Sequence, residues 1–185
     1  MGVVEVASRT TGNGSGSANA LMVDPLTGFG TRQALLLALG EAVEPDSGPM
    51  LLVVFGLEGF EEYISLFGRL AGRTLLVKLS ARLAEALDPI GICFRPRFDE
   101  FSALIQTTIG SAKPVLDAAV LALRERATSG AVTAAWGAAL LPDEAETPTD
   151  ALKVADERLA SNAPRRRRRN RRSIDSSRYR DERPA

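Results

Sequence analysis

Apolar residues recur at helical spacing over 32–43, where Leu35, Leu36, Leu39 and Val43 share a face, and Thr31 stands where a cap is needed. A short apolar run, Met50–Phe55, holds two valines and predicts a strand buried on both sides. Residues 58–67 read as helical until Gly68 breaks the pattern, and a longer helix is expected over 71–87, with Leu76, Leu79, Leu83 and Leu87 as its stripe. Two short strands follow, Gly91–Phe94 and Phe101–Gln106, joined by a charged hairpin tip. Residues 112–127 carry Val115, Ala119, Leu123 and Arg126 at helical steps. Small apolar residues over 131–141 predict a central strand ending at Pro142, and 149–162 predict a final helix. This order implies an α+β fold, one sheet covered by helices.

The flanks differ from this middle. Residues 1–20 include a small, polar, glycine-rich stretch and read as a flexible leader. The ordered domain is expected over 21–163, and an arginine-rich tail, expected to be disordered, over 164–185. The 185 residues carry 23 basic and 23 acidic side chains. The balance conceals a segregation, because residues 165–185 hold ten arginines against three acids, leaving the rest of the chain at −7. Arg165, Arg166, Arg167, Arg168, Arg169, Arg171 and Arg172 form a candidate polyanion-binding run, to be weighed against a solvated tail that offsets the acidic body.

Composition narrows the chemistry. There is no histidine, which excludes His-based acid–base catalysis and Ser-His or Cys-His nucleophiles. The single cysteine, Cys93, excludes an intramolecular disulfide framework and reads as a small buried hydrophobe. Any metal would be a hard cation on carboxylates. No run approaches the ~20 apolar residues of a membrane span, and no signal peptide is evident, so a cytoplasmic location is the expectation.

Five segments in order, opened by Asp24-Pro25-Leu26-Thr27-Gly28 and centred on Arg95-Pro96-Arg97-Phe98-Asp99-Glu100-Phe101, resemble the GGDEF domain, the catalytic domain of diguanylate cyclases, from about Asp24 to Asn162. The family's opening D-x-L-T-G-L-x-N-R is here Asp24-Pro25-Leu26-Thr27-Gly28-Phe29-Gly30-Thr31-Arg32. Its D-x-D-x-F is Gly56-Leu57-Glu58-Gly59-Phe60, and its R-x-G-G-D-E-F hairpin is Arg95-Pro96-Arg97-Phe98-Asp99-Glu100-Phe101. Its V-T-x-S-x-G is Val132-Thr133-Ala134-Ala135-Trp136-Gly137, and its A-D-x-A-L-Y is Ala155-Asp156-Glu157-Arg158-Leu159-Ala160. The resemblance implies a central, mostly antiparallel sheet of about five strands flanked by helices. It also implies condensation of two GTP molecules to cyclic di-GMP on divalent metal ions.

Residue by residue, the resemblance also implies that this chemistry is damaged. The strand carboxylate that would bind metal falls at Gly56, and the hairpin carboxylate survives as Asp99, followed by Glu100. Arg97 and Phe98 replace two glycines that let backbone approach phosphate. The guanine-reading positions fall at Ile64, which offers no hydrogen bond, and Arg73, which offers only donors. The phosphate-binding lysine falls at Ala163, with Arg167 at a later arginine's position, and the inhibitory product site reads Asp88-Pro89-Ile90-Gly91. Glu58 either replaces the missing acid from the same strand face or opens the next helix. Phe101 and Trp136 are expected in the core; Phe98 is expected either to tuck inward or to anchor a partner.

The expected function is therefore a catalytically silent, degenerate domain acting as a regulatory or protein-interaction module in bacterial cyclic-di-GMP-type signalling, with no cofactor and a protein partner. One alternative is a weak diguanylate cyclase with Mg²⁺ on Asp99, Glu100 and Glu58. Another is a sensor that binds GTP or cyclic di-GMP without turnover. A leader of about twenty residues is too short for a sensor domain, so input is expected from another chain.

Overall fold

A computed structural model describes residues 22–107, 109–127 and 130–163. The leader over 1–20 and the arginine run Arg165–Arg172, with the expectations placed on them, lie outside the described residues. Among the described residues the elements run α1 (Arg32–Ala42), β1 (Met50–Glu58), α2 (Phe60–Leu87), β2 (Gly91–Arg97), β3 (Glu100–Gln106), α3 (Ile109–Ala122), β4 (Glu125–Ala127), β5 (Gly130–Leu141) and α4 (Pro148–Asn162).

The strands form one sheet in the order β2-β3-β1-β5-β4, every pairing antiparallel. β1 lies at its centre. Its alternate residues feed two cores, as the two-residue period of a strand requires. Leu51, Val53, Phe55 and Leu57 face Leu76, Leu79 and Leu83 of α2 and Leu116 and Ala119 of α3. Leu52 and Val54 face Leu35 and Leu39 of α1 and Ala151, Ala155 and Leu159 of α4. The sheet is thus the middle of three layers, which explains the uninterrupted apolar run of β1.

The structure corrects several boundaries. β1 continues past Phe55 to Glu58, because β5 pairs with it through Glu58↔Thr133 even where the apolar run fails. Glu58 therefore ends a strand and does not open a helix. α2 starts at Phe60, after Gly59 at φ +77°, where a Cβ would meet the Ala131 carbonyl oxygen at 2.6 Å. The break expected at Gly68 is present as a kink with φ +85° and ψ 165° inside α2. α3 stops at Ala122 rather than running to 127. Glu125 instead pairs with Val132 in the hairpin of β4 and β5, and its carboxylate takes Lys78 at 2.9 Å and Arg82 at 3.3 Å. Trp136 is only half-buried, packed on the edge of the α2–α3 core, whereas Phe101 is fully buried as expected. Cys93 is half-buried, and loss of solvent pushes its thiol up to about 12.

Candidate functional site

The hairpin that joins β2 and β3 turns at Phe98 and Asp99, with Arg97 opposite Glu100. Backbone pairing fixes it beside the end of β1. Gly56 stands opposite Glu100 on one side and Ala135 on the other, and the Leu57 N–H donates to the Asp99 carbonyl at 2.9 Å. The hairpin carboxylates and Gly56 are thus brought together, as the resemblance implies. Glu58 shares the strand face of Gly56, two residues on.

A second seam holds the hairpin to the chain's first described turn. The N–H of Asp24 donates to the Phe29 carbonyl, and Gly30 exchanges backbone hydrogen bonds with β2 through Cys93 and Arg95. Gly30 is required there, because a Cβ would run into the Phe94 ring. Arg95, 9% exposed, spans the seam: it donates to Asp24 Oδ2 at 3.0 Å and to the Phe98 carbonyl at 2.8 Å. Burial raises the Asp24 carboxyl, but hydrogen bonds from Thr27 and Arg95 and the guanidinium charge outweigh it, leaving its pKa below the usual carboxylate range. This ion pair was not foreseen from the sequence. The signal available was that Asp24 and Arg95 are the leading residues of two of the matched motifs.

The donor set lacks one of the two carboxylates that the resemblance assigns to metal binding. Gly56 has no side-chain ligand. The Glu100 carboxylate is almost fully buried and lies 3.4 Å from the Arg97 guanidinium. Asp99 is half-buried in the turn, and Glu58 Oε1 is shut away from solvent. Among the described residues no group of three or more Asp, Glu or Cys side chains is placed to hold a metal ion. Magnesium is usually held by one or two carboxylates with substrate phosphates and water, and here the strand position supplies none while the Glu100 carboxylate is turned to Arg97.

The two positions that the resemblance aligns with guanine reading lie on either side of the α2 kink, and neither side chain offers a hydrogen-bond acceptor. Ile64 is half-buried and packs towards Gly72, where its Cγ1 lies 2.6 Å from the site of a hypothetical Cβ. Arg73 points to solvent. Phe98 leans its ring on Phe60, centroids 5.5 Å apart, while remaining 59% exposed, with the Arg95 guanidinium 5.9 Å from its centroid. Tyr63 and Phe67 stack at 4.8 Å one turn further on. The motif's Phe98 is therefore partly tucked and partly displayed, and the adjoining corner of α2 exposes Leu66, Phe67 and Leu70.

A separate groove of about 520 Å³ lies between α1 and α4, on the other face of the sheet from α2, lined by Arg32, Leu36, Leu152, Lys153, Asp156 and Glu157. No described helix is long and apolar enough to cross a membrane.

Comparison with known proteins now bears on this geometry. The family model described as diguanylate cyclase, GGDEF domain, matches residues 21–171. No curated protein matches the sequence. Among solved structures, the diguanylate cyclase SiaD of Pseudomonas aeruginosa, in complex with its activator SiaC, superposes with a TM-score of 0.67 at 26% identity, over 79% of this chain. The match spans 60% of that SiaD chain. A sensory box/GGDEF family protein of Caulobacter crescentus gives 0.67 at 25% identity, covering 76% of this chain and 97% of that one. The GGDEF domain of DgcB from Caulobacter crescentus, in complex with c-di-GMP, shares the fold with a TM-score of 0.66 at 19% identity, covering 76% and 88%. With the sequence matched over most of its length and the sheet and helices superposing on these domains, the chain belongs to the GGDEF domain family of diguanylate cyclases.

Proposed function

We propose that this GGDEF domain is catalytically silent and works as a regulatory, protein-interacting module in cyclic-di-GMP-type signalling. One observation carries the reading: the strand position for metal presents no carboxylate, and neither guanine position presents an acceptor. Ile64 lies against Gly72, Glu100 faces Arg97, and Gly56 offers no oxygen. Phosphoryl transfer in this family is positioning and charge stabilisation around metal-bound triphosphate, so loss of the metal and base contacts removes its main driving terms. That SiaD is solved with a protein activator supports a protein partner for a domain of this kind.

The test is incubation of the purified chain with GTP and Mg²⁺ or Mn²⁺, followed by chromatography for cyclic di-GMP, and calorimetry with GTP. The expected result is no product. Product that disappears in Asp99→Ala overturns the reading in favour of a weak cyclase using Asp99, Glu100 and Glu58. Heat of GTP binding without product would favour a nucleotide sensor. Arg165–Arg172 add a polyanion-binding proposal: truncation after Pro164 should abolish retention on heparin, and equal retention would refute it.

A further inference from the structure

We propose that the arginine run Arg165–Arg172 docks on its own domain, across the end of the sheet where Gly56, Glu58 and Glu100 meet. The place is set by where the described chain ends. The Asn162 side-chain amide donates to the Trp136 carbonyl at 2.9 Å, and Ala163 packs on the core that holds Val54. Trp136 stands opposite Phe55, so α4 ends within one strand position of Gly56. The run begins two residues after Ala163, a reach of up to ~7 Å along the backbone before any arginine side chain is counted. From β5 across β1 to β3 is two strand spacings, ~10 Å. A few residues of the run are enough to cross it.

Charge and side-chain direction point to this occupant. Alternation puts Gly56 and Glu58 on the side of the sheet that carries Leu52 and Val54, and cross-strand pairing puts Glu100 there too. That is also the side on which α4 lies. Glu100 is 5% exposed, Glu58 Oε1 is shut off from solvent, and Asp99 precedes Glu100 in the turn. Against these acids the hairpin sets Arg97, while the Arg95 charge is answered by Asp24. The corner stays negative beside a segment, residues 165–185, with ten arginines against three acids. Ser102 is an independent sign. It is fully buried, shares that face two residues from Glu100, and its hydroxyl has no partner among the described residues. A hydroxyl oxygen accepts from a guanidinium, which offers only donors, and Gly56, diagonal to Ser102 across β1 and β3, interposes no side chain. Ion pairs near solvent are individually weak, but the tether raises the run's effective concentration at this corner to the millimolar range.

The docking does not lean on the proposed silence of the domain, because its tests read where the run lies and not whether GTP is turned over. In full chains carrying Arg165→Lys, Arg167→Lys or Arg169→Lys, zero-length carbodiimide crosslinking should join the new amine to Glu58, Asp99 or Glu100 within one chain, as mapped by peptide mass spectrometry. Glu44, Asp46 and Asp143, at the opposite end of the sheet, should not be joined. Separately, Glu58→Gln with Asp99→Asn in the full chain should release the run to trypsin, raising cleavage within 165–172 by about fivefold. Glu44→Gln with Asp46→Asn removes the same charge at the far end of β1 and should leave that rate unchanged, with circular dichroism alike for all chains. Crosslinks spread over acids at both ends of the sheet, crosslinks only between two chains, or none from the run would overturn the proposal. So would equal cleavage of the two paired variants, which would reduce the attraction to net charge alone.

Discussion

The two sides of the sheet treat glycine differently. On the α4 side, Gly137 of β5 lies directly under helix backbone, and a Cβ there would collide with the Ala155 carbonyl and the Leu159 nitrogen. The helix is also clamped: Arg158 donates to the Ala138 carbonyl at 2.7 Å and to both Glu144 oxygens, at 2.7 and 2.6 Å. At the hairpin corner, Arg97 and Phe98 stand where the family has two glycines, and both side chains find room in solvent. Glycine persists where backbone presses on backbone. At the hairpin positions that the resemblance gives to glycine, the protein's own packing asks for none. Scaffold and site are thus under separate physical demands, and on the reading proposed above only the scaffold's are met.

The sharpest way to break this contrast is at Gly137. Gly137→Ala should cost more than the ~1–3 kcal/mol usual for overpacking, because the obstructing atoms are main-chain atoms that no rotamer change can move. Urea unfolding measures it; a loss under 1 kcal/mol would mean that α4 is not seated as described.

At the corner, the hairpin's own support should come next. Arg95→Met breaks the Arg95–Asp24 pair, whose side chains are 9% and 18% exposed, and should destabilise by about 3 kcal/mol, the low end for a buried pair broken on one side. Adding Asp24→Asn should recover part of that loss, since no unpaired charge then remains. An additive double variant would deny the coupling.

The smallest effect concerns acid. Arg158, with help from the Leu140 N–H and against partial burial, holds the Glu144 carboxyl at about 2 rather than its ordinary 4.5. A carboxyl lowered on folding stabilises fully above its unfolded value and loses that stabilisation as pH falls from 4.5 towards 2. Glu144→Gln should therefore be less stable than the parent near neutrality, with the gap closing as pH falls through about 2. Both partners are more than a third exposed, so the difference stays under about 1 kcal/mol.

Much of this architecture was legible in the sequence because burial writes a period. The stripe of α2, the apolar run of β1 and the break at Gly68 all follow from side-chain spacing, and Thr31 caps α1 by accepting from the Ala34 N–H. What was not legible depends on contacts distant in sequence. The end of β1 is set by its partner strands rather than its own apolar content. β4 is three residues long, too short to show alternation, and it takes residues that fall on a helical pattern. At the site, the motif register located Gly56, Asp99 and Glu100 together. It gave no hint that Ile64 turns in upon Gly72; for Phe98 it left open a tucked or a displayed ring, and the ring rests on Phe60 without leaving solvent.

Arg95 touches both the turn that begins at Asp24 and the residue at the hairpin's apex. One guanidinium thus braces the apex from outside the sheet, a tie added to the backbone pairing that fixes the hairpin beside β1.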